Sequence, residues 1–288
     1  MIRTLACVGL SLILAPPLTA EVIYWQTLPL VGVAELKDGK PADGVVYAVQ
    51  RFIEQALPEY KHLYKPSAPL RLYHDLETGL ARCSTVLLQD ANLDRVGYFV
   101  PFAPTLPMQL IVRSDIREQL TFEQGAVSLN RIMQQTRLKG AIVSGRGYPK
   151  ELQELLEQGI EQGRIQSMNS SSTGQNLLSM IQAGRIDYTL EFPIVIKRHE
   201  ETSNLSATLL GIPIVENQEL STSGFYCART SWGRKIAERL DQAVRAITAK
   251  PDQLMPLYQA TNDPSTFKYF EPKVRAWLAQ RANTPTEF

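Results

Sequence analysis

The hydrophobic positions of this chain alternate between the two-residue period of strands and the 3.6-residue period of helices. The stretch EVIYWQ at 21–26 predicts a strand, and GVVYAVQRFIEQAL at 44–57 predicts a helix with one apolar face. Residues 69–90 predict a second strand, a short helix and a third strand around 83–88. Strand, helix, strand, helix, strand is the order of a parallel α/β sheet.

A second α/β unit follows a stretch without either period. YFVPFAPTLP at 98–107 is rich in proline and aromatic residues and is interpreted as a hinge loop instead of an element. MQLIVRSD at 108–115 then predicts a strand, and LKGAIVSGRGYPKELQELLEQG at 138–159 predicts a strand, a glycine turn and a helix. The apolar face of that helix comprises Leu152, Leu155, Leu156 and Ile160.

The stretch MNSSSTGQNLLSMIQAGRIDYTLEFP at 168–193 predicts the next helix and strand. Gly184 ends the helix, and Pro193 ends the pairing of the strand. SGFYCART at 223–230 predicts one more strand, and a long helix follows with Ser231 as a candidate N-cap. The apolar stripe of that helix comprises Ile236, Leu240, Val244 and Ile247. YFEPKVRAWLAQR at 269–281 predicts a final, shorter helix.

The first twenty residues have the pattern of a secretory signal. Arg3 precedes an apolar core of about ten residues, too short to span a membrane, and Ala20 offers a small residue at the cleavage point. We therefore expect a periplasmic mature chain that begins near Glu21, with a retained N-terminal anchor as the alternative. No later segment has the apolar length of a membrane span.

Composition removes several classes of function. The chain has 30 basic and 29 acidic residues, so it lacks the basic excess that holds a nucleic acid backbone. Its three histidines are scattered, and none has a second His or Cys at metal-ligand spacing. Nucleophile-elbow, phosphate-loop and dinucleotide glycine motifs are absent from the sequence. We expect no metal, no cofactor and no enzymatic activity.

Three motifs carry a resemblance to a known family. They are LKGAIVSGRGY, LLSMIQAGRIDYTLE and GFYCARTSWGRKIAERLDQAVRAI. With the order of elements, they resemble the type II periplasmic solute-binding proteins, specifically the family 3 extracellular binding domain and an uncharacterised subgroup of it. The implied fold is α/β, with two α/β lobes, a hinge and a central cleft. The implied divisions are a signal peptide at 1–20, lobe 1 at 21–108, lobe 2 at 109–220, and a return to lobe 1 at 221–288.

The candidate ligand site follows from this fold, because open parallel sheets bind ligands outside the carboxyl ends of their strands. Trp25 ends the first strand, where it either stacks on a ligand or caps the core. The resemblance implies an acid near the end of the strand at 186–192; Phe192 has that position, and Glu191 precedes it. It also implies an arginine that clamps a carboxylate, with Arg95 as the nearest match. The predicted ligand-binding set is Trp25, Arg95, Arg146, Gly147, Tyr148, Ser172, Glu191 and Phe192.

Two cysteines, Cys83 and Cys227, remain after removal of the signal with Cys7. The resemblance implies that their strands are neighbours in lobe 1. A disulfide and two free thiols are both open alternatives at this point, because cross-strand neighbours often have poor geometry for a bridge.

The expected function is capture of a small polar solute between two lobes, for an ABC importer, by a monomeric protein. One alternative is a sensor or receptor domain of the same fold that signals through a membrane protein. Another is a dehydratase-like enzyme in which Glu191 is a general acid or base. Since Phe192 holds the acid position, we expect a ligand with an apolar or ring-like part instead of an ordinary amino acid.

Overall fold

A computed structural model describes the following parts of the chain: residues 20–29, 33–37, 40–135, 137–144, 148–169, 175–202 and 207–288. The predicted signal segment lies outside the described residues, except for its last residue, Ala20. In the described part, no helix is both long and apolar enough to cross a membrane.

The first half of lobe 1 consists of seven strands and three helices. In chain order these are β1 (Val22–Thr27), β2 (Glu35–Lys37), β3 (Lys40–Asp43), α1 (Val45–Ala56), β4 (Lys61–Pro66), α2 (Pro69–Glu77), β5 (Cys83–Ser84), β6 (Leu87–Leu88), α3 (Ala91–Val96) and β7 (Gly97–Thr105).

Lobe 2 and the return to lobe 1 complete the chain. Lobe 2 contains β8 (Gln109–Arg113), a 3-10 helix (Ser114–Gln119), β9 (Phe122–Glu123), β10 (Ala126–Val127), α4 (Leu129–Gln135), β11 (Gly140–Val143), α5 (Lys150–Glu161), β12 (Ile165–Met168), α6 (Gln175–Gln182), β13 (Tyr188–Glu191), α7 (Pro193–Thr202) and β14 (Leu209–Ile212). The return contains β15 (Ser221–Ala228), α8 (Ser231–Thr248), a 3-10 helix (Pro251–Gln253), α9 (Met255–Thr261) and α10 (Pro264–Asn283).

Two separate sheets define the two lobes. The first has the strand order β4-β1-β5-β15-β6, with β7 paired to β15, and the second has the order β12-β11-β13-β8-β14. In the first sheet β1 is parallel to β4 and β5, whereas β15 returns antiparallel. In the second sheet β11 is parallel to β12 and β13, and β8 is antiparallel. The carboxyl ends of the parallel strands therefore form one edge of each sheet.

The apolar face of α8 packs directly on the first sheet. Ile236, Leu240 and Val244 are fully buried in one core with Ile23 of β1 and Phe270 of α10. This confirms the stripe predicted from the 3.6-residue period. The N-cap, however, is Thr230 instead of Ser231, because the Thr230 side chain accepts a hydrogen bond from the backbone N–H of Gly233.

The interpretation of residues 98–107 as a loop was wrong. Most of the stretch forms β7, which pairs with β15 over its whole length, with a shift in register between Ser223 and Gly224. Pro101 and Pro104 are accommodated because β7 pairs with β15 alone among the described strands, so their missing N–H groups interrupt no second ladder.

Other local predictions also needed correction. The strand that follows α1 is β4, at Lys61–Pro66, whereas residues 69–77 form α2 with Pro69 in its first turn. The C-terminal helix α10 has 20 residues against the 18 of α8, and it continues through Pro272. Ile160 of α5 is 38% exposed instead of facing inward, whereas Leu152 is fully buried.

A disulfide joins Cys83 of β5 to Cys227 of β15 across a sequence separation of 144 residues. The two residues are directly opposite each other in the antiparallel register, with their Cα atoms 4.1 Å apart. The bridge therefore connects the first segment of lobe 1 with the segment that returns to it.

The C-terminal helices also contact lobe 2. The Thr266 hydroxyl of α10 donates to the backbone oxygen of Gly211 in β14 at 3.1 Å, and Thr266 is 2% exposed. Tyr269 Oη donates to Gln218 Oε1 at 2.8 Å. The lobes are already connected by the chain at 106–108 and at 213–220. These hydrogen bonds add a further contact between the lobes, and any relative motion of the lobes must accommodate it.

Candidate functional site

The candidate site is the edge where the parallel strands of both lobes end. In lobe 1, the backbone N–H of Thr85 donates to the carbonyl of Gln26 at 2.9 Å, and that of Ser67 donates to Thr27 at 2.8 Å. The ends of β1, β4 and β5 are thereby held level. This edge carries amide and hydroxyl side chains.

A buried carboxylate anchors one side of this edge. Gln26 Nε2 donates to Asp75 Oδ2 at 2.8 Å and contacts Ser67 Oγ at 3.3 Å. Asp75 is fully buried, and its charge is balanced by Arg82 and by Arg71, whose Nε lies 2.7 Å from Oδ1. Because a buried charge requires such pairing, we assign Asp75 to positioning of Gln26 and α2 instead of ligand contact.

On the other face of β1, polar side chains continue beneath α1. Thr27 and Gln50 are 0% and 1% exposed, and Tyr47 is 6% exposed. Burial raises the pKa of the Tyr47 hydroxyl, and the neighbouring Thr27 hydroxyl offsets this in part. The Tyr47 ring meets the Tyr64 ring edge-on, with centroids 5.8 Å apart.

The Tyr64 hydroxyl completes this group by donating to Glu54 Oε1. Burial, followed by the hydrogen bond to Glu54, raises the pKa of the Tyr64 hydroxyl. The Tyr64 phenol therefore stays neutral, and its hydroxyl is the hydrogen-bond donor to the Glu54 carboxylate.

In lobe 2, the end of β13 is buried. Glu191 is 2% exposed, and its Oε1 accepts a hydrogen bond from the backbone N–H of Phe192 at 2.8 Å. Glu191 is directly opposite Gln109 of β8 in the register, so both side chains lie on one face of the sheet. A Cβ on Gly211 would clash with Gln109 Oε1, which places the Gln109 amide beside β14. Phe192 is half-buried and follows the last residue of β13.

Tyr148 has a local role at the end of β11. Its hydroxyl accepts a hydrogen bond from the backbone N–H of Val143 at 2.9 Å, and its ring packs on the lobe 2 core. Asp187 Oδ2 similarly accepts from the backbone N–H of Lys139 at 2.8 Å, at the start of β11. Both side chains therefore stabilise the ends of a strand whose carboxyl end reaches the candidate site.

The predicted ligand-binding residues are not brought together as one set. Trp25 is fully buried, and its Nε1 donates to His62 Nδ1 at 3.0 Å, which matches the core alternative. Arg95 is exposed in the last turn of α3 and donates to Asn92 Oδ1 at 2.6 Å. It precedes Gly97, which pairs with Ala228 at the sheet edge opposite the candidate site.

Three of the predicted residues, Arg146, Gly147 and Ser172, lie outside the described residues. The part of the chain that the structure describes holds no group of three His, Cys, Asp or Glu side chains arranged to bind a metal ion.

The polar residues under α1 were not predicted from the sequence. Tyr47 and Gln50 are three residues apart on the buried face of an amphipathic helix. A tyrosine and a glutamine at core positions were the available signal, since buried polar side chains require a specific partner.

No protein-family model matches the chain, and no curated protein matches it. Solved structures do. A probable amino-acid ABC transporter extracellular-binding protein, ytmK from Bacillus subtilis, is 13% identical with a TM-score of 0.62, over 84% of this chain and 98% of that one. A putative L-cystine ABC transporter from Listeria monocytogenes is 17% identical with a TM-score of 0.52, over 89% and 97%.

The periplasmic VFT2 domain of BvgS from Bordetella pertussis is also similar, at 13% identity and a TM-score of 0.58, over 84% of this chain and 93% of that domain. These likenesses, with the two sheets described above, show that the chain has the two-lobed α/β fold of type II periplasmic binding proteins. The predicted fold class is confirmed.

Proposed function

We propose that this chain is a periplasmic solute-binding protein that captures a small polar solute between its two lobes for an ABC importer. The observation that carries the proposal is the arrangement of two α/β sheets whose parallel strands end at polar edges. In such sheets the carboxyl edge is where ligands bind. One neighbouring structure is a probable amino-acid ABC transporter extracellular-binding protein and another is a putative L-cystine ABC transporter, which supports a role with an ABC transporter here.

A sensor role is the second candidate, and one observation favours it. A histidine kinase sensor domain with similarity to periplasmic binding proteins resembles this chain about as well as the ABC transporter extracellular-binding protein does, with a TM-score of 0.56 against 0.62. Both roles require ligand capture, so they differ in the membrane partner. The dehydratase-like alternative has less support, because Glu191 is 2% exposed and holds the backbone N–H of Phe192.

The ligand that we propose is polar but is not an ordinary amino acid held by its two charged groups. Such a ligand needs a carboxylate for its ammonium and an arginine for its carboxylate, since burying either charge unpaired is costly. Glu191 is buried beside Gln109, and Arg95 lies at the opposite edge of lobe 1. The described part of the lobe 1 edge offers the amide of Gln26 and the hydroxyl of Ser67, because its carboxylate, Asp75, is already paired with arginines.

Native mass spectrometry of the protein purified from its own periplasm tests the proposal. We expect one bound small molecule per chain, and we expect the measured mass to match a mature chain that begins at Glu21. Detergent extraction of the membranes, followed by capture on this protein, separates the two candidates: a permease subunit supports import, whereas a kinase supports sensing. Two negative results together would contradict both candidate roles. They are a purified protein without any bound solute and a radius of gyration that does not change when periplasmic extract is added.

A further inference from the structure

Three buried polar side chains lie together at the carboxyl end of β1. Thr27 is the last residue of β1, and Tyr47 and Gln50 occupy successive turns at the start of α1. Residues three apart lie on one helix face, so Tyr47 and Gln50 face the sheet side by side. We call Thr27, Tyr47 and Gln50 the α1 polar cluster.

The α1 polar cluster has unused hydrogen-bonding capacity. Thr27 Oγ1, Tyr47 Oη and both amide atoms of Gln50 are buried and complete no hydrogen bond of good geometry within the described residues, although Thr27 neighbours the Tyr47 hydroxyl and Gln50 neighbours the Tyr64 hydroxyl. Buried polar groups in native proteins are almost always paired with protein, with ordered water or with a ligand. Four such atoms on three nearby residues therefore offer donors and acceptors to a polar group bound at this place.

The cluster is uncharged, and this defines the partner. It presents one amide and two hydroxyl groups, and the nearby Glu54 carboxylate is occupied by the Tyr64 hydroxyl. Val33, Leu36 and Val86 pack against the small core that contains Tyr47, so its surroundings are largely apolar. In such surroundings it is unfavourable to bury a charged ligand group without a counter-ion. A neutral ligand group that both donates and accepts can form hydrogen bonds with the Gln50 amide.

We propose that the α1 polar cluster is a ligand subsite that receives an uncharged amide or hydroxyl group of the bound solute. The inference rests on the proposed solute-binding function, and it names the chemical class of one part of the ligand. The position of Thr27 at the end of a central parallel strand places the subsite at the ligand edge of lobe 1.

Acetamide is the probe, because it carries one neutral amide and little else. We expect crystals soaked in acetamide to show it bound to Gln50, and ligand-observed NMR to detect binding that acetate and methylammonium do not give. Gln50→Leu should weaken acetamide binding at least tenfold, and Tyr47→Phe should weaken it severalfold. Tyr188→Phe is the matched control, because Tyr188 also has a buried hydroxyl without a hydrogen bond but lies in the core of lobe 2.

The same variants are then compared for the solute that co-purifies. Loss of that solute from Gln50→Leu, with full occupancy in Tyr188→Phe, supports the subsite. Equal acetamide binding and equal solute occupancy in Gln50→Leu and wild type would overturn it, as would an ordered water that fills the site while the solute binds elsewhere. If Gln50→Leu does not fold, Gln50→Met and Tyr47→Phe give the same comparison. Wild-type protein that binds acetamide but carries no solute would contradict the proposed function instead.

Discussion

The ion pair between Asp241 and Arg281 should contribute a large share of the stability of lobe 1. Asp241 of α8 and Arg281 of α10 have side chains that are 6% and 5% exposed. Asp241 also accepts from Arg245 Nε at 3.0 Å and from the Thr286 hydroxyl at 2.7 Å. Arg281 Nε donates to the carbonyl of Pro101 in β7 at 2.7 Å. The pair thus ties both long helices to a strand of the first sheet.

Asp241→Ala removes one charge and leaves the Arg281 guanidinium buried without a counter-ion. Breaking a buried pair in this way costs about 3–5 kcal/mol. At about 2–4 °C per kcal/mol for a chain of this size, the melting midpoint should fall by roughly 10 °C. The double variant Asp241→Leu/Arg281→Leu should recover most of the loss, because apolar replacement removes the uncompensated charge.

Urea unfolding followed by far-UV circular dichroism measures the effect, with melting curves as the second readout. Asp252→Ala is the control: Asp252 is 89% exposed and pairs with Arg275 on the surface, so little change is expected. Equal stabilities of Asp241→Ala and Asp252→Ala would refute the reasoning. A double variant as unstable as Asp241→Ala would show that lost contacts, and not the buried charge, set the cost.

The same pair predicts a pH dependence with a defined sign. Burial alone would raise the pKa of the Asp241 carboxyl, but hydrogen bonds from Thr286 and Arg281 hold the pKa below its ordinary value. The stabilisation is therefore complete above the unfolded-state pKa of about 3.9 and is lost as the pH falls through the lower folded-state pKa. The difference between wild type and Asp241→Ala should be constant above about pH 5 and shrink below about pH 4. A difference that stays constant to pH 2 would contradict this.

Three further predictions concern the bridge, the hinge and the ligand. Thiol titration of the unfolded, unreduced mature protein should find no free thiol, and reducing the Cys83–Cys227 bridge should cost about 4–5 kcal/mol in the chain-entropy model; two free thiols would reject the bridge. Thr266→Val removes the hydrogen bond to Gly211, and a loss of about 1 kcal/mol should change the ratio of the lobe-arrangement populations about fivefold. Interlobe distances from single-molecule fluorescence report those populations, and an unchanged distribution would show that this contact does not restrain the lobes. Calorimetric titration with the twenty amino acids should give no sub-micromolar binding, and tight binding abolished by Glu191→Gln would show that Glu191 accepts an ammonium group.

Much of the element order was accessible from the sequence, because short-range periodicity decides which face of an element is apolar. The stripe of α8 and the strands β1, β8 and β13 followed from it. Gly184 ended α6 as predicted, since its φ of 67° lies in the left-handed region that glycine adopts without strain. The two-lobed fold followed from motifs and element order taken together.

The prediction failed where a partner distant in the chain determines the structure. β7 contains Pro101 and Pro104 and has no regular period, yet it is a strand because β15, more than a hundred residues later, pairs with it. The strand β4 is similarly defined by its parallel pairing with β1.

The candidate site was likewise predicted only in part from the sequence. Residue types and strand ends located the carboxyl edge, but not the side chains that reach it. Trp25 entered the core because His62 satisfies its indole N–H, and Glu191 is buried beside Gln109 of another strand. Tyr47 came beside Thr27, and Gln50 beside Tyr64, only when α1 packed into the core of the first sheet. Local periodicity determines which face of an element is buried, whereas the environment of a polar side chain depends on residues that only the tertiary structure brings near.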